Sequence, residues 1–306
     1  MSRAVERWWW AVLGVAAALA AACGDDGRGG SVRSVQPTIV ATTSIWADVV
    51  ANVTCDGLAT VESLIPAGSD PHAFEPSLAD RGRLDEAALV VANGLGLEEG
   101  IESTVEASEA AGTPVFRVGD HVEVIDYSGG GVDPHVWMDP IRVADALSPL
   151  ADSIVAATGL DADAVGSCVK SYHGELVAID GRIEESVAAI PESDRKLVTN
   201  HDSLGYFADR YGFEVVGTVI PAPSGLAQTN PAQLEELAEV VDQTGVGVIF
   251  ADSGHSADDA EAVAARVAGV EVVPLPSGTL GEVGSGAETY LGLVRTTSGR
   301  VTTALR

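Results

Sequence analysis

Between residues 38 and 118, short β-branched apolar runs alternate with helically spaced segments, and the same alternation returns from residue 196 to the end. This repeated rhythm is the strongest constraint on the fold. Runs at 38–45, 61–65, 89–92 and 114–118 read as strands, and the segments 46–53, 77–88 and 97–111 read as helices. The second round places strands at 197–199, 214–220, 247–251 and 270–274, with helices at 204–211, 231–244, 257–268 and 288–305. Strands separated by helices in this way argue for parallel sheets covered by helices on both faces.

A helical stretch, residues 141–190, separates the two rounds. Its longest part, 161–190, carries Val165, Val169, Tyr172, Leu176, Ile179 and Ile183 at three- and four-residue steps, with Gly166, Gly174 and Gly181 weakening it slightly. Local chemistry marks other helix starts. Ser77 is placed to cap one, and Asn230-Pro231 followed by Gln233 supplies a cap, a first-turn proline and a capping-box partner for another. The expected fold class is therefore α/β: two lobes, each a parallel β-sheet flanked by helices, joined by one long helix. The boundaries read as 37–158 for the N-terminal lobe, 159–192 for the link and 193–306 for the C-terminal lobe. A cleft between such lobes is where a ligand is expected.

Residues 1–22 read as a signal peptide: Arg3 and Arg7, then an uncharged run from Trp8 to Ala22, too short to cross a membrane comfortably. A stop-transfer helix is the alternative. Ala20-Ala21-Ala22-Cys23 is similar to a bacterial lipobox, which would make Cys23 a lipidated first residue and residues 23–36 a flexible tether. The protein is then exported and lipid-anchored to the outer face of the cell membrane. Cys55 and Cys168 remain, either as a disulfide or as two buried thiols. The formal charge of −28 excludes nucleic acid as a natural partner and favours cations.

Of six histidines, three share a context. His72 follows Asp70-Pro71, His135 follows Asp133-Pro134, and His201 sits just past a strand; all three fall in loops at strand ends, where α/β sheets place ligand-contacting residues. Imidazole suits zinc and its neighbours better than hard cations. Each Asp-Pro-His turn also sets a carboxylate where it could accept the second ring N–H and fix the tautomer. His121, His173 and His255 read as surface or helix-face residues, and Trp137 as packing that walls off the cleft.

The stretches ATTSIWADVVANV, SLIPAGSDPHAFEPS, ANGLGLEEGIE, DPHVWMDP, VTNHDSLGYFADRYGFEVVG and GAETYLGLV together resemble the zinc and manganese solute-binding proteins of ABC transporters, cluster A-I. The resemblance runs from about Val40 to Leu305. It implies a monomeric extracytoplasmic protein with two lobes, a rigid linking helix, metal at their interface and delivery to an ABC permease for import. By position His72, His135 and His201 match the family's ligands, and His at the third position matches the zinc members, so Zn²⁺ is expected ahead of Mn²⁺. The chain departs from the pattern at the fourth ligand, usually an Asp, where it carries Gly278-Thr279-Leu280. Water, Asp252, Glu282 or His255 could fill that place, with water or Asp252 preferred. The region 121–132 holds one His and is too short to serve as an auxiliary metal trap.

Two other classes compete. Three His with an open position resemble a zinc hydrolase site, although no His-Glu-x-x-His helix occurs. A surface interaction protein that merely retains the fold is the third. The expectation is a binding protein and not an enzyme.

Overall fold

The computed structural model describes residues 36–127, 130–220, 230–254 and 256–306. The leader at 1–22, Cys23 with its tether and His255 lie outside them. The first sheet is built from β1 (Thr38–Ala41), β2 (Thr60–Ser63), β3 (Leu89–Ala92) and β4 (Val115–Arg117), all parallel, in the order β2-β1-β3-β4. The second uses β5 (Lys196–His201), β6 (Glu214–Ile220), β7 (Val248–Asp252) and β8 (Glu271–Leu275) in the matching order β6-β5-β7-β8, again parallel. Each sheet thus reverses its winding beside its first strand, and such a switch point opens a crevice at the carboxyl ends of the strands.

The central strands β3 and β7 are buried on both faces, which explains their nearly continuous apolar runs. Ile39 and Ala41 face the main core while Val40 faces a smaller outer one, and Leu89, Val91 and Val90 repeat that alternation. In the second sheet Val248 and Phe250 point to the main core, Ile249 and Ala251 to the opposite cluster. The main core is continuous across both lobes.

The helices are α1 (Ser44–Val53), α2 (Leu78–Glu86), α3 (Glu102–Ala111), α4 (Pro140–Thr158), α5 (Ala162–Val187), α6 (Gly205–Tyr211), α7 (Pro231–Thr244), α8 (Asp258–Ala264) and α9 (Tyr290–Ala304). The long helical stretch is two helices, because Gly159 ends α4 in a left-handed turn (φ 69°). The 26-residue α5 runs unbroken through Gly166, Gly174 and Gly181 and spans about 39 Å. The capping box expected at Asn230 with Gln233 forms, and the Ser77 cap is completed into a second box by Asp80.

Several boundaries differ from expectation: β5 runs on to include His201, α8 ends at Ala264 and not at 268, and two further differences have a clear local cause. The first strand stops at Ala41, not residue 45, because the Thr43 side chain accepts the Trp46 N–H and starts α1. The helix expected from 97 begins only at Glu102, because Gly94, Leu95 and Gly96 all have positive φ and turn the chain sharply after β3. No described helix is long and apolar enough to cross a membrane.

Cys55 and Cys168 form a disulfide, with Cα atoms 5.5 Å apart, that fastens the end of α1 to α5.

Candidate metal centre

The centre is assembled from three strand-end loops. After β2 the chain turns at Pro66–Ser69, and Asp70 Oδ1 accepts the His72 backbone N–H at 2.9 Å, closing an Asx turn. Asp133 does the same for His135, also at 2.9 Å, and its Oδ1 additionally meets His135 Nδ1 at 2.7 Å. An ionised carboxylate only accepts, so Nδ1 carries the proton and Nε2 is left with its lone pair directed away from Asp133. His201 is the last residue of β5, at the carboxyl edge of the second sheet.

The three rings converge. Nε2 of His72 and Nε2 of His135 stand 3.4 Å apart, and ring centroids are 5.5 Å (72–135), 6.1 Å (72–201) and 5.4 Å (135–201) from one another. One ligand atom from each lies within 4.8 Å of the other two, and all three residues are buried. Among the described residues this is the one group of His, Cys, Asp or Glu so arranged. A set of neutral imidazole nitrogens at this spacing can surround a single borderline-soft cation.

A buried polar network behind β3 supports the His135 loop. Asn93 Nδ2 donates to the Pro134 carbonyl at 2.9 Å, and Asn93 Oδ1 accepts from Trp46 Nε1. Glu98 in turn accepts from the Thr42 hydroxyl, the Asn93 N–H and the Gly94 N–H. Burial pushes the Glu98 carboxyl above its ordinary range despite those donors. The sharp turn at 94–96 is what lets Glu98 reach back to the strand end. Sequence reasoning assigned neither residue a role, although both lie in the stretch ANGLGLEEGIE; nothing in their spacing signals that they meet.

The second lobe closes on this centre through the loop after β8. Trp137 Nε1 donates to the Ser277 carbonyl at 2.7 Å, and its buried indole stands 5.3 Å from the His135 ring. Thr279 Oγ1 accepts the Gly68 N–H and lies 3.1 Å from Ser44 Oγ, which in turn accepts the Leu280 N–H.

Asp252, the fourth candidate, is not brought into the imidazole group. Its Oδ1 accepts the Gly254 N–H at 2.6 Å, and its Oδ2 accepts the Ser277 hydroxyl. It nevertheless lies beside Gly278: a Cβ there would stand 3.1 Å from Asp252 Oδ2. The loop that lacks a carboxylate therefore packs on one supplied by β7. Glu282 is exposed on that loop. His121 is exposed and stacks on Phe116, and His173 lies on the exposed face of α5.

Two further residues near the centre were not anticipated. Burial, and then the Asp133 charge, push the Asp202 carboxyl up to about 6, with His135 opposing. The Tyr127 hydroxyl is pushed up by burial and by the charges of Asp133 and Asp202.

Residues 39–304 match the family described as zinc-uptake complex component A, periplasmic. The chain belongs to that family. As a member it is a substrate-binding component of a metal ABC transport system, and the family is one of transporter parts and not of hydrolases. It is 31% identical over 295 residues to the manganese-binding lipoprotein MntA of Bacillus subtilis, covering 93% of this chain and 94% of that protein. Its fold matches the periplasmic zinc-binding protein TroA of Treponema pallidum with a TM-score of 0.82 at 26% identity, over 88% of this chain and 99% of that one. A manganese-bound periplasmic metal-binding protein of Candidatus Liberibacter asiaticus shares the fold at 22% identity and a TM-score of 0.81.

Proposed function

We propose that this member captures Zn²⁺, ahead of Mn²⁺, on His72, His135 and His201 and hands it to an ABC permease for import. The observation that carries this reading is the convergence of three buried imidazoles, two from one lobe and one from the other. The named relatives divide between manganese-binding and zinc-binding proteins, so their names do not choose. The donor set supports zinc: three nitrogens suit Zn²⁺, whereas Mn²⁺ prefers oxygen-rich, six-coordinate surroundings. Water is the fourth ligand in this reading, because Asp252 does not belong to the group of ligand atoms that lie within 4.8 Å of one another. We further assign residues 37–158 and 193–306 to the two lobes and 159–192 to the link. The mature chain is a monomer anchored through lipidated Cys23 after loss of residues 1–22, in keeping with relatives named as lipoproteins.

Competition titration with Zn²⁺ and Mn²⁺ tests the reading. Zn²⁺ should bind on the order of a hundredfold tighter or more, following the affinity order of divalent metals on nitrogen donors. His201→Ala should abolish tight Zn²⁺ binding, while Asp252→Ala should change it little. Equal or tighter Mn²⁺ binding would overturn the zinc assignment, and a large loss in Asp252→Ala would replace water by that carboxylate. Cys23→Ser should release the chain from membranes.

A further inference from the structure

The loop after β8, residues 276–289, is anchored at its start in the second lobe and then crosses to the first. The Pro276 carbonyl accepts the Thr297 hydroxyl of α9, and the Ser277 hydroxyl donates to Asp252 at the end of β7. Beyond them, the Ser277 carbonyl takes the Trp137 indole N–H. Where α9 begins, Asp48 of α1 accepts the Tyr290 N–H at 3.0 Å.

Between those two crossings lies a reciprocal pair of hydroxyls. Thr279 Oγ1, from the second lobe, accepts the Gly68 N–H of the first at 3.1 Å. Ser44 Oγ, from the first lobe, accepts the Leu280 N–H of the second at 3.2 Å. The two oxygens stand 3.1 Å apart, so one hydroxyl donates to the other and the four groups close into one unit. Each hydroxyl therefore answers a backbone donor from the opposite lobe.

Position gives this pair its consequence. Gly68 lies in the turn Pro66–Ser69, just before His72, and Thr279 follows Gly278, where the chain carries no carboxylate. Trp137 secures the loop beside His135, and the hydroxyl pair secures it beside the turn that leads to His72. Ser44 and Leu280 are buried, but Gly68 is exposed and Thr279 half-buried, so solvent reaches this bond and it opens at lower cost than the buried Trp137–Ser277 one. We propose that the Ser44–Thr279 pair is a clasp that holds the His72 loop against the second lobe and so sets how slowly the captured ion leaves. Thr279 is then a positioning residue for His72. The inference rests on the metal-capture reading above. A contact that must break before the ion departs acts on dissociation and leaves association alone.

The test is Zn²⁺ dissociation from the loaded full chain, followed by stopped flow after mixing with excess chelator. Thr279→Val removes the hydroxyl and keeps the branched shape, and the exposed Gly68 N–H that it frees can turn to water, so the fold is preserved. Thr279→Ser keeps the hydroxyl. Thr244→Val, which loses a hydroxyl bonded to Val240 within α7, is the control. Thr279→Val should release Zn²⁺ about three- to tenfold faster, with association unchanged, while Thr279→Ser and Thr244→Val should match the wild type. Exchange of the Gly68 amide proton in the metal-free chain reads the clasp without an ion, and should quicken in Thr279→Val but not in Thr279→Ser. Wild-type release from Thr279→Val, or release from Thr279→Ser or Thr244→Val as fast as from Thr279→Val, would overturn the clasp while leaving tight Zn²⁺ binding intact. Absence of tight Zn²⁺ binding in the wild type would instead remove the capture reading, and the clasp's part in release with it.

Discussion

Asp133 Oδ1 accepts two hydrogen bonds from a single residue, the backbone N–H and the ring N–H of His135. The first sets the loop and the second sets the tautomer, so one carboxylate fixes both where the imidazole stands and which nitrogen it offers. Asp133→Asn would keep an acceptor oxygen but lose the charge that raises ligand basicity. Zn²⁺ affinity should fall roughly ten- to a hundredfold with the fold intact, as is usual when a ligand's partner is removed; circular dichroism with a competition titration would check it. Glu98 acts one step further back, through Asn93. Its carboxyl is held above its ordinary 4.5, so the folded chain binds that proton more tightly than the unfolded chain does. Stability from the neutral form is therefore present below 4.5 and is lost as the pH rises through the folded value. Glu98→Gln cannot ionise, and it turns an amide N–H₂ toward donors, so it should be destabilised by about 1–3 kcal/mol. In melting curves from pH 4 to 8 that deficit should be greatest at the acid end and shrink with rising pH; a deficit that grew instead would contradict the assigned shift.

At the scale of elements, the sequence was most informative where local chemistry acts alone. The cap at Ser77, the capping box at Asn230, the strand bounds of β6 and the full extent of α7 follow from residues within a few positions of each other. The three histidines were legible for a related reason, since strand-end loops can be recognised before the tertiary fold is known. Glu98, Asn93 and Tyr127 were not, because their importance comes from neighbours far along the chain: Thr42 for Glu98, Pro134 for Asn93. The glycines of α5 were expected to weaken it, and the structure locates the remedy. Gly174 is exposed, and an added Cβ would have nothing within 4 Å. Gly174→Ala should stabilise the protein by about 0.5–1 kcal/mol and raise the melting temperature by about 1–3 °C, with metal affinity unchanged.

Across the whole molecule, the Cys55–Cys168 bond closes a loop of 113 residues and joins α1 to the long helix. Chain-entropy arguments put the stabilisation from so long a loop at about 4–5 kcal/mol, with measured values more often about 2–4. Cys55→Ala/Cys168→Ala should therefore lower the melting temperature clearly, while Zn²⁺ affinity at 25 °C stays close to that of the oxidised chain, because neither cysteine touches the imidazoles. A loss of affinity parallel to the loss of stability would mean that the clamp also sets the geometry of the centre.

The division of the ligands, His72 and His135 against His201, has a mechanical corollary. A chelate built on one loop grips its ion whatever the rest of the molecule does. Under the ligand set proposed above, the grip would depend on how the end of β5 stands against the two loops of the first lobe, so a partner leaning on the outer surface of either half could loosen it without ever reaching the ion. Unloading would then be a matter of leverage rather than of competing chemistry.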